Sequence, residues 1–124
     1  VFYLGLLTFI IGFSIEVIAD NQKTAFRSIP ENSNKFITTG LWSVSRHPNY
    51  FGEVVLWMGI AIMSLPYLEG LQYWTLISPI FSFTLIYFVS GVRMLEARAN
   101  VKWGENTEYQ KYVEKTPVFF PKIF

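Results

Sequence analysis

The sequence predicts an all-α membrane protein: a multi-pass transmembrane helical bundle of about three spans, with further helices on its cytosolic side. Three observations predict it. Of the 124 residues, 52% are hydrophobic and only 15% are charged, where ordinary soluble domains carry roughly 25% charged residues; the mean hydropathy is +0.32. Three apolar stretches approach or reach the roughly 17–25 residues that a helix needs to cross a bilayer. The basic residues all fall on one side of those stretches. The same composition excludes several function classes. A net charge of +1 with no isolated basic block argues against a nucleic-acid partner. The absence of cysteine removes disulfides, thiolate nucleophiles and thiolate-bound metals. A single histidine among scattered carboxylates makes no dedicated metal site.

The first stretch, residues 1 to about 18, is uncharged until Glu16. It begins with neither an initiator Met nor a basic n-region, so it reads as the interior of a span and not as a signal peptide. The expectation is therefore that residues 1–124 are the C-terminal portion of a longer chain whose upstream helices are missing here. Glu16, Asp20, Lys23 and Arg27 follow at spacings of four, three and four, which on a helix is one polar stripe. Two readings stay open: a salt-bridged ladder leaving the membrane, or two cations facing a phosphate-bearing ligand with the acids orienting them. Glu16 favours the second, because it lies about a turn deeper than an interfacial ladder needs, and an intramembrane carboxylate is a functional candidate by default.

A polar loop follows at residues 29–39, "IPENSNKFITT", with Pro30 as breaker. Then comes "GLWSVSRHPNYFGE", residues 40–53, an unusual entry to an apolar run. Buried in lipid without partners, its polar side chains would cost several kcal/mol each. Pro48 suits the first turn of a helix, where its missing N–H costs nothing. The free N–H groups of that turn and the helix dipole favour an anion, and Arg46 and His47 immediately precede it. Asn49, Tyr50 and Glu53 project from the same turn, while Gly52 leaves room for a ligand or another helix. The competing reading is an interfacial anchor, with Arg46 on lipid phosphate and Tyr50 in the headgroup belt.

The second span, "VVLWMGIAIMSLPYL" at 54–68, is completed by Tyr50, Phe51 and Gly52. The third, at 73–92, is long enough alone, and Pro79 should kink it without ending it. Trp57, Trp74, Tyr67 and Tyr73 are candidate interfacial anchors. Beyond it, "RMLEARANVKW" continues the helix into water as far as Gly104, a plausible C-cap. It carries Glu96 and Asn100, with Arg93 a turn earlier. A short helix, "ENTEYQKYVEK", comes next, with Tyr109 and Tyr112 best suited to packing, and Pro117 and Pro121 hold the tail extended.

Lys23, Arg27, Lys35 and Arg46 lie between spans one and two; Arg93, Arg98, Lys102, Lys111, Lys115 and Lys122 follow span three. The connection "PYLEGLQ" has no cation. Three spans therefore put every Lys and Arg on one face, which the positive-inside rule makes cytoplasmic.

"ADNQKTAFR", "GLWSVSRHPNYFGE", "VSGVRMLEAR" and "EYQKYVEKTPVFFP" occur in an order that resembles the steroid 5-alpha-reductase-like membrane proteins, in the branch long catalogued as a domain of unknown function. The resemblance covers nearly the whole chain. Its "RHPNYFGE" block belongs to a wider superfamily that includes sterol reductases and isoprenylcysteine carboxyl methyltransferases. The resemblance implies a cytosol-facing cofactor cavity between C-terminal helices, holding NADPH in the reductases and S-adenosylmethionine in the methyltransferases. It implies that Asp20, Lys23 and Arg27 approach the adenosine and phosphate portion. Arg46, His47, Asn49 and Tyr50 match the pyrophosphate and nicotinamide end, and Glu96 matches the acid after the last span. Glu53 stands where sterol reductases have an aspartate. Two departures matter: Glu96 is followed by Ala97 instead of a second glutamate, which counts against the methyltransferases, and the N-terminal half that polarises the substrate carbonyl in 5-alpha-reductases is not in this sequence.

The first functional reading is thus the cofactor-binding portion of an NADPH-dependent membrane oxidoreductase. It reduces an activated carbon–carbon double bond of a lipid- or steroid-like substrate, with Tyr50 and Glu53 as candidates for proton delivery. The alternatives are an S-adenosylmethionine-dependent membrane methyltransferase and a non-catalytic multi-pass protein whose interfacial charges serve topology alone.

Overall fold

The computed structural model describes residues 1–89 and 91–121; Lys122, one of the cations assigned to the basic face, lies outside the described residues. Every regular element among these residues is helical. Helix α1 spans Phe2–Arg27. At 1.5 Å per residue its 26 residues run about 39 Å, longer than a hydrocarbon core of about 30 Å, so its last turns project beyond the span. A 3-10 turn at Pro30–Asn32 and another at Gly40–Ser43 lead to α2, Pro48–Ser64, which ends in a 3-10 turn at Leu65–Tyr67. Among the described residues, three helical runs are long and apolar enough to cross a membrane: Phe2–Arg27, Pro48–Tyr67 and Gly70–Trp103.

α1 and α2 are antiparallel and are each other's principal partners. They meet through glycines spaced seven apart, Gly5 and Gly12 on one helix, Gly52 and Gly59 on the other. A methyl group on Gly52 would lie 2.7 Å from both Gly12 O and Glu16 N; one on Gly59 would lie 2.7 Å from Gly5 O. One on Gly12 would collide with the Leu56 backbone N. The room left by each missing Cβ is filled by the partner helix's backbone, the device by which small residues let membrane helices approach. Ala19, seven residues beyond Gly12, is fully buried against Trp42 and Ile37. The opposite face of α1, with Leu4, Leu7, Ile10, Ile11 and Phe13, is exposed, as suits a helix whose surroundings are as apolar as its side chains.

The third run differs from the single kinked helix expected at 73–92. Gly70–Ile77 is 3-10, α3 covers Ser78–Thr84, a π-helical segment covers Leu85–Val89, and α4 covers Gly91–Trp103. Pro79 therefore stands in the first turn of α3, where it starts the α-helix instead of kinking one. Gly104 also departs from expectation. It has no positive φ, and its N–H donates to Asn100 O at 2.8 Å, prolonging the helical ladder without a left-handed cap. Helix α5, Thr107–Lys115, starts afresh from Asn106, whose side chain accepts from Tyr109 N at 3.1 Å.

The extended tail completes the core. Phe119 is 1% exposed and packs with Val54 of α2 and Val92 of α4, surrounded by Phe51, Phe83, Tyr87 and Val118. Ring contacts of Phe119 with Phe51, Phe83 and Tyr87, centroids 5.2–5.7 Å apart, are edge-to-face, the favoured aromatic geometry.

The glycine contact makes a sharp prediction. Gly12→Val or Gly52→Val must push the two helices apart, and overpacking of this kind costs about 1–3 kcal/mol or more. Thermal unfolding in lipid nanodiscs should show a clear loss of stability for both, and little change for Leu7→Ala on the exposed face. Equal melting temperatures for all three variants would show that the seam is not close-packed.

Candidate functional site

The site is built where the basic ends of the helices converge. Trp42, in the 3-10 turn before α2, is 4% exposed and donates its indole N–H to Ala19 O at 3.0 Å. The turn is fixed from two further sides. Leu41 N donates to Gln22 Oε1 at 3.0 Å, and Tyr112 Oη donates to Trp42 O at 2.6 Å. Gly40 carries φ +62, a conformation open to glycine, and a Cβ there would strike the Gln22 amide at 2.6 Å.

Ser45 and Arg46 are held by the tail. Ser45 Oγ donates to Phe119 O at 2.7 Å and accepts from His47 N at 3.2 Å. Arg46 donates its backbone N–H to Pro117 O at 2.9 Å and its Nε–H to Thr116 O at 3.1 Å. Its Nη1 lies 2.6 Å from Glu96 Oε1 on α4. The guanidinium is thus fixed by a carboxylate and a carbonyl, with its plane set by two different elements. His47 is the residue before the Pro48 helix start, and its side chain is 9% exposed. His47 Nε2 lies 3.7 Å from Glu96 Oε1, beyond hydrogen-bond length, and finds no hydrogen-bond partner. A buried ring nitrogen without a partner asks for one.

A cavity of about 620 Å³ opens in front of these groups. Among the described residues, Lys23, Arg27, Lys35, Arg46, Arg98 and Lys102 line it, against a single carboxylate, Glu96. Its aromatic lining is Phe26, Phe36, Trp42, Trp103, Tyr109 and Tyr112. Lys23 Nζ lies over the Trp42 ring, 5.1 Å from its centroid. Among the described residues the pair of fixed charges is Arg46–Glu96, with His47 Nε2 3.7 Å from the same carboxylate, so the stripe on α1 does not form the salt-bridged ladder. Burial, and the Glu96 charge beyond it, raises the phenol of Tyr109 above its ordinary value. Burial likewise raises that of Tyr112, far enough that it stays a hydroxyl donor well into alkaline solution.

Of the residues singled out in the sequence, Lys23, Arg27, Arg46, His47 and Glu96 share this cavity. Asp20 and Asn49 bind each other instead, Asn49 Nδ2 donating to Asp20 Oδ1 at 3.1 Å, while Asn49 Oδ1 has no partner. Tyr50 is not part of the cavity wall. Its ring stacks near His47 at 6.1 Å and lies against Gly91, where a Cβ would come within 3.2 Å of it. Glu53, one turn further along α2, is half-buried and follows Gly52, which packs against the Glu16 backbone of α1. Lys35, Arg98, Lys102, Phe36 and Trp103 also line the cavity. In the sequence the three cations serve only as topology markers. The signal that could have found two of them is the four-residue step from Arg98 to Lys102, which puts both on one face of α4.

Residues 1–116 match the family described as Protein of unknown function (DUF1295). The chain is 30% identical over 121 residues to steroid 5-alpha-reductase DET2 of Gossypium hirsutum, covering 98% of this chain and 39% of that protein. It is 32% identical over 123 residues to a Delta(14)-sterol reductase of Ascobolus immersus, covering 83% of this chain and 26% of that protein. A Probable O-methyltransferase ustE of Ustilaginoidea virens is 31% identical over 68 residues, 55% of this chain and 24% of that protein. The chain thus spans between 24% and 39% of the length of these relatives. No solved structure matches it.

The Tyr112 hydroxyl yields a pH prediction. A phenol whose folded pKa is raised contributes stability that is complete below its unfolded pKa of about 10 and is lost as pH climbs from there through the folded value. Tyr112→Phe should cost about 1 kcal/mol at neutral pH by deleting the bond to Trp42 O. It should also make stability fall less steeply above about pH 10. Parallel alkaline melting curves for the variant and the parent protein would contradict this.

Proposed function

The chain belongs to the steroid 5-alpha-reductase-like membrane family described as Protein of unknown function (DUF1295), and from that premise we propose that it is the C-terminal, cofactor-binding portion of an NADPH-dependent membrane reductase. The substrate is an activated carbon–carbon double bond in a lipid- or steroid-like molecule. The observation that carries the reading is the cavity's charge: six cations against one carboxylate, with the buried His47 Nε2 unpartnered at its inner end.

That donor set fits a dinucleotide phosphate. Lys23, Arg27 and Arg46 offer charge-assisted hydrogen bonds to phosphate oxygens. His47 Nε2 offers one more polar contact, and the aromatic lining gives flat surfaces for planar rings. NADPH, when bound, supplies a hydride. The protein's part is to fix the ligand's polar groups, exclude water and deliver a proton to the carbon beside the one reduced, so that C=C becomes CH–CH. Tyr50, stacked near His47, is the candidate donor. Glu53, one turn behind it on α2, is the candidate relay. The basic face belongs in the cytosol, where a soluble cofactor reaches the cavity.

The Probable O-methyltransferase relative raises the S-adenosylmethionine alternative. A sulfonium is a cation, and the cavity's excess positive charge repels it while attracting phosphates.

With the whole protein in nanodiscs, Lys23→Ala, Arg27→Ala and Arg46→Ala should each weaken NADPH binding by about 1.5–3 kcal/mol, the scale of a hydrogen bond to a charged group. Unaltered affinity in all three, or tight S-adenosylmethionine binding in its place, would refute the reductase reading. Glu53→Gln should lower reduction about 10²–10⁴-fold at saturating NADPH, and a wild-type rate would make this carboxylate structural. Impermeant labels at Asn34 and Asn106 should react from the cytosolic face only, and at Gly70 from the opposite face only. Reaction of Asn34 and Gly70 from the same face would overturn the orientation.

A further inference from the structure

Three carbonyls of the tail face the stretch that enters α2. Phe119 O accepts from Ser45 Oγ at 2.7 Å, Pro117 O from Arg46 N at 2.9 Å, and Thr116 O from Arg46 Nε at 3.1 Å. Ser45 and Thr116 are buried, so water does not replace these bonds. The ring that ends this set is seated far from any charge. Phe119 packs on Val54 and Phe51 of α2, Phe83 of α3, and Tyr87 and Val92 of the third run. It is not among the residues that line the 620 Å³ cavity.

We infer that Phe119 is a positioning residue for ligand binding in that cavity, and that it acts through Arg46; the ligand used to test it rests on the NADPH reading. An arginine held by Glu96 alone, at Nη1, can turn about that single contact. The second contact, Nε to Thr116 O, comes from a different element and fixes the plane of the guanidinium. The N–H donors these partners leave over then keep one direction, and a planar fork binds an anion best when it is already aimed. A ligand that meets a fixed guanidinium does not have to order a long side chain as it binds. The tail can aim Arg46 only if its own path is set. Phe119 sets it, because a large ring in a close-packed core leaves a void when it moves. Without the ring, Thr116 and Pro117 are tethered from the α5 side alone. Ser45 extends the same control to His47: its hydroxyl takes the His47 N–H while giving its own proton to Phe119 O.

The test is a double-mutant cycle read by equilibrium NADPH binding to the whole protein in nanodiscs. Phe119→Ala should weaken affinity about 10-fold, and Phe119→Leu, which refills the socket, less than about 3-fold. In an Arg46→Ala background, Phe119→Ala should change affinity less than about 2-fold, because the residue it acts through is gone. Equal losses in the two backgrounds would overturn the inference, since a merely structural role adds to the loss of Arg46 instead of vanishing with it. Unaltered affinity in Phe119→Ala would overturn it as well. Amide hydrogen exchange checks the same path without any ligand. In Phe119→Ala the Arg46 and His47 amides should exchange about 10-fold faster or more, while those of residues 57–62 in α2 stay as they are. If Phe119→Ala does not fold, Phe119→Val carries both measurements. A parent that binds no NADPH overturns the NADPH reading, and hydrogen exchange then decides alone: faster exchange at Arg46 and His47 keeps Phe119 as their positioning residue, and unchanged exchange removes it.

Discussion

Two helices that touch backbone to backbone set the position of everything at the basic face. Gly12 and Gly52 leave no side chain between α1 and α2, so the register of the pair is fixed by where those glycines fall. A lateral slip would drive a Cβ into a carbonyl oxygen. With Gly12 opposite Gly52, the chain running up α1 brings Asp20 to Asn49 and Lys23 to Trp42. The chain entering α2 places Arg46 and His47 at the same height. A seam of glycines in the span therefore determines which charges face one another some turns away, on the basic side. In a membrane this solution is favoured, because apolar helices gain little from hiding apolar surface from lipid and must associate through close contact.

The cost of gathering six cations is met by an unequal arrangement of acceptors. Arg46, the most enclosed of them, has Glu96 and the Thr116 carbonyl; the tail that supplies that carbonyl is itself anchored by buried Phe119. Lys23 rests on the Trp42 ring, a weaker, direction-tolerant contact. Arg27, Lys35, Arg98 and Lys102 stand on the rim, where water screens their repulsion. The most enclosed cation is thus the one neutralised by a carboxylate, and the cavity's unpaired positive charge is left on Lys23 and the hydrated rim.

The spans, the basic face, the polar stripe of α1 and the Pro48 helix start are all legible in the sequence, because each rests on local periodicity or on proline chemistry. Features carried by contacts between distant segments are not. Gly5, Gly12, Gly52 and Gly59 are visible at seven-residue spacing, yet nothing local says that the two pairs face each other. The tail residues 116–119 read as an extended end, and only the folded chain shows their carbonyls and Phe119 holding Ser45 and Arg46. Tyr109 and Tyr112 have the pattern of packing residues; they pack and also line the cavity. Pro79 sits within an apolar run that is long enough to be one helix, so its local signal is a kink, when its place is the first turn of a new helix.

The third run explains how Tyr50 comes to stand beside the cavity and not in it. The π-helical turn at Leu85–Val89 widens the backbone just before Gly91, and π-bulges recur at functional sites, where they re-aim the next turn of helix. That next turn opens with a glycine whose missing Cβ leaves space bounded by Ile86 O at 3.1 Å and the Tyr50 ring at 3.2 Å. A larger residue at 91 would displace the phenol ring. Tyr50 is therefore positioned by two helices at once: α2 carries it, and α4 sets how far its ring can swing. A proton donor must be held within hydrogen-bond reach of one atom while the ligand's phosphates are gripped elsewhere. On the proposed reading, fixing the phenol from the third run, independently of the cations on α1 and before α2, would keep those two tasks apart.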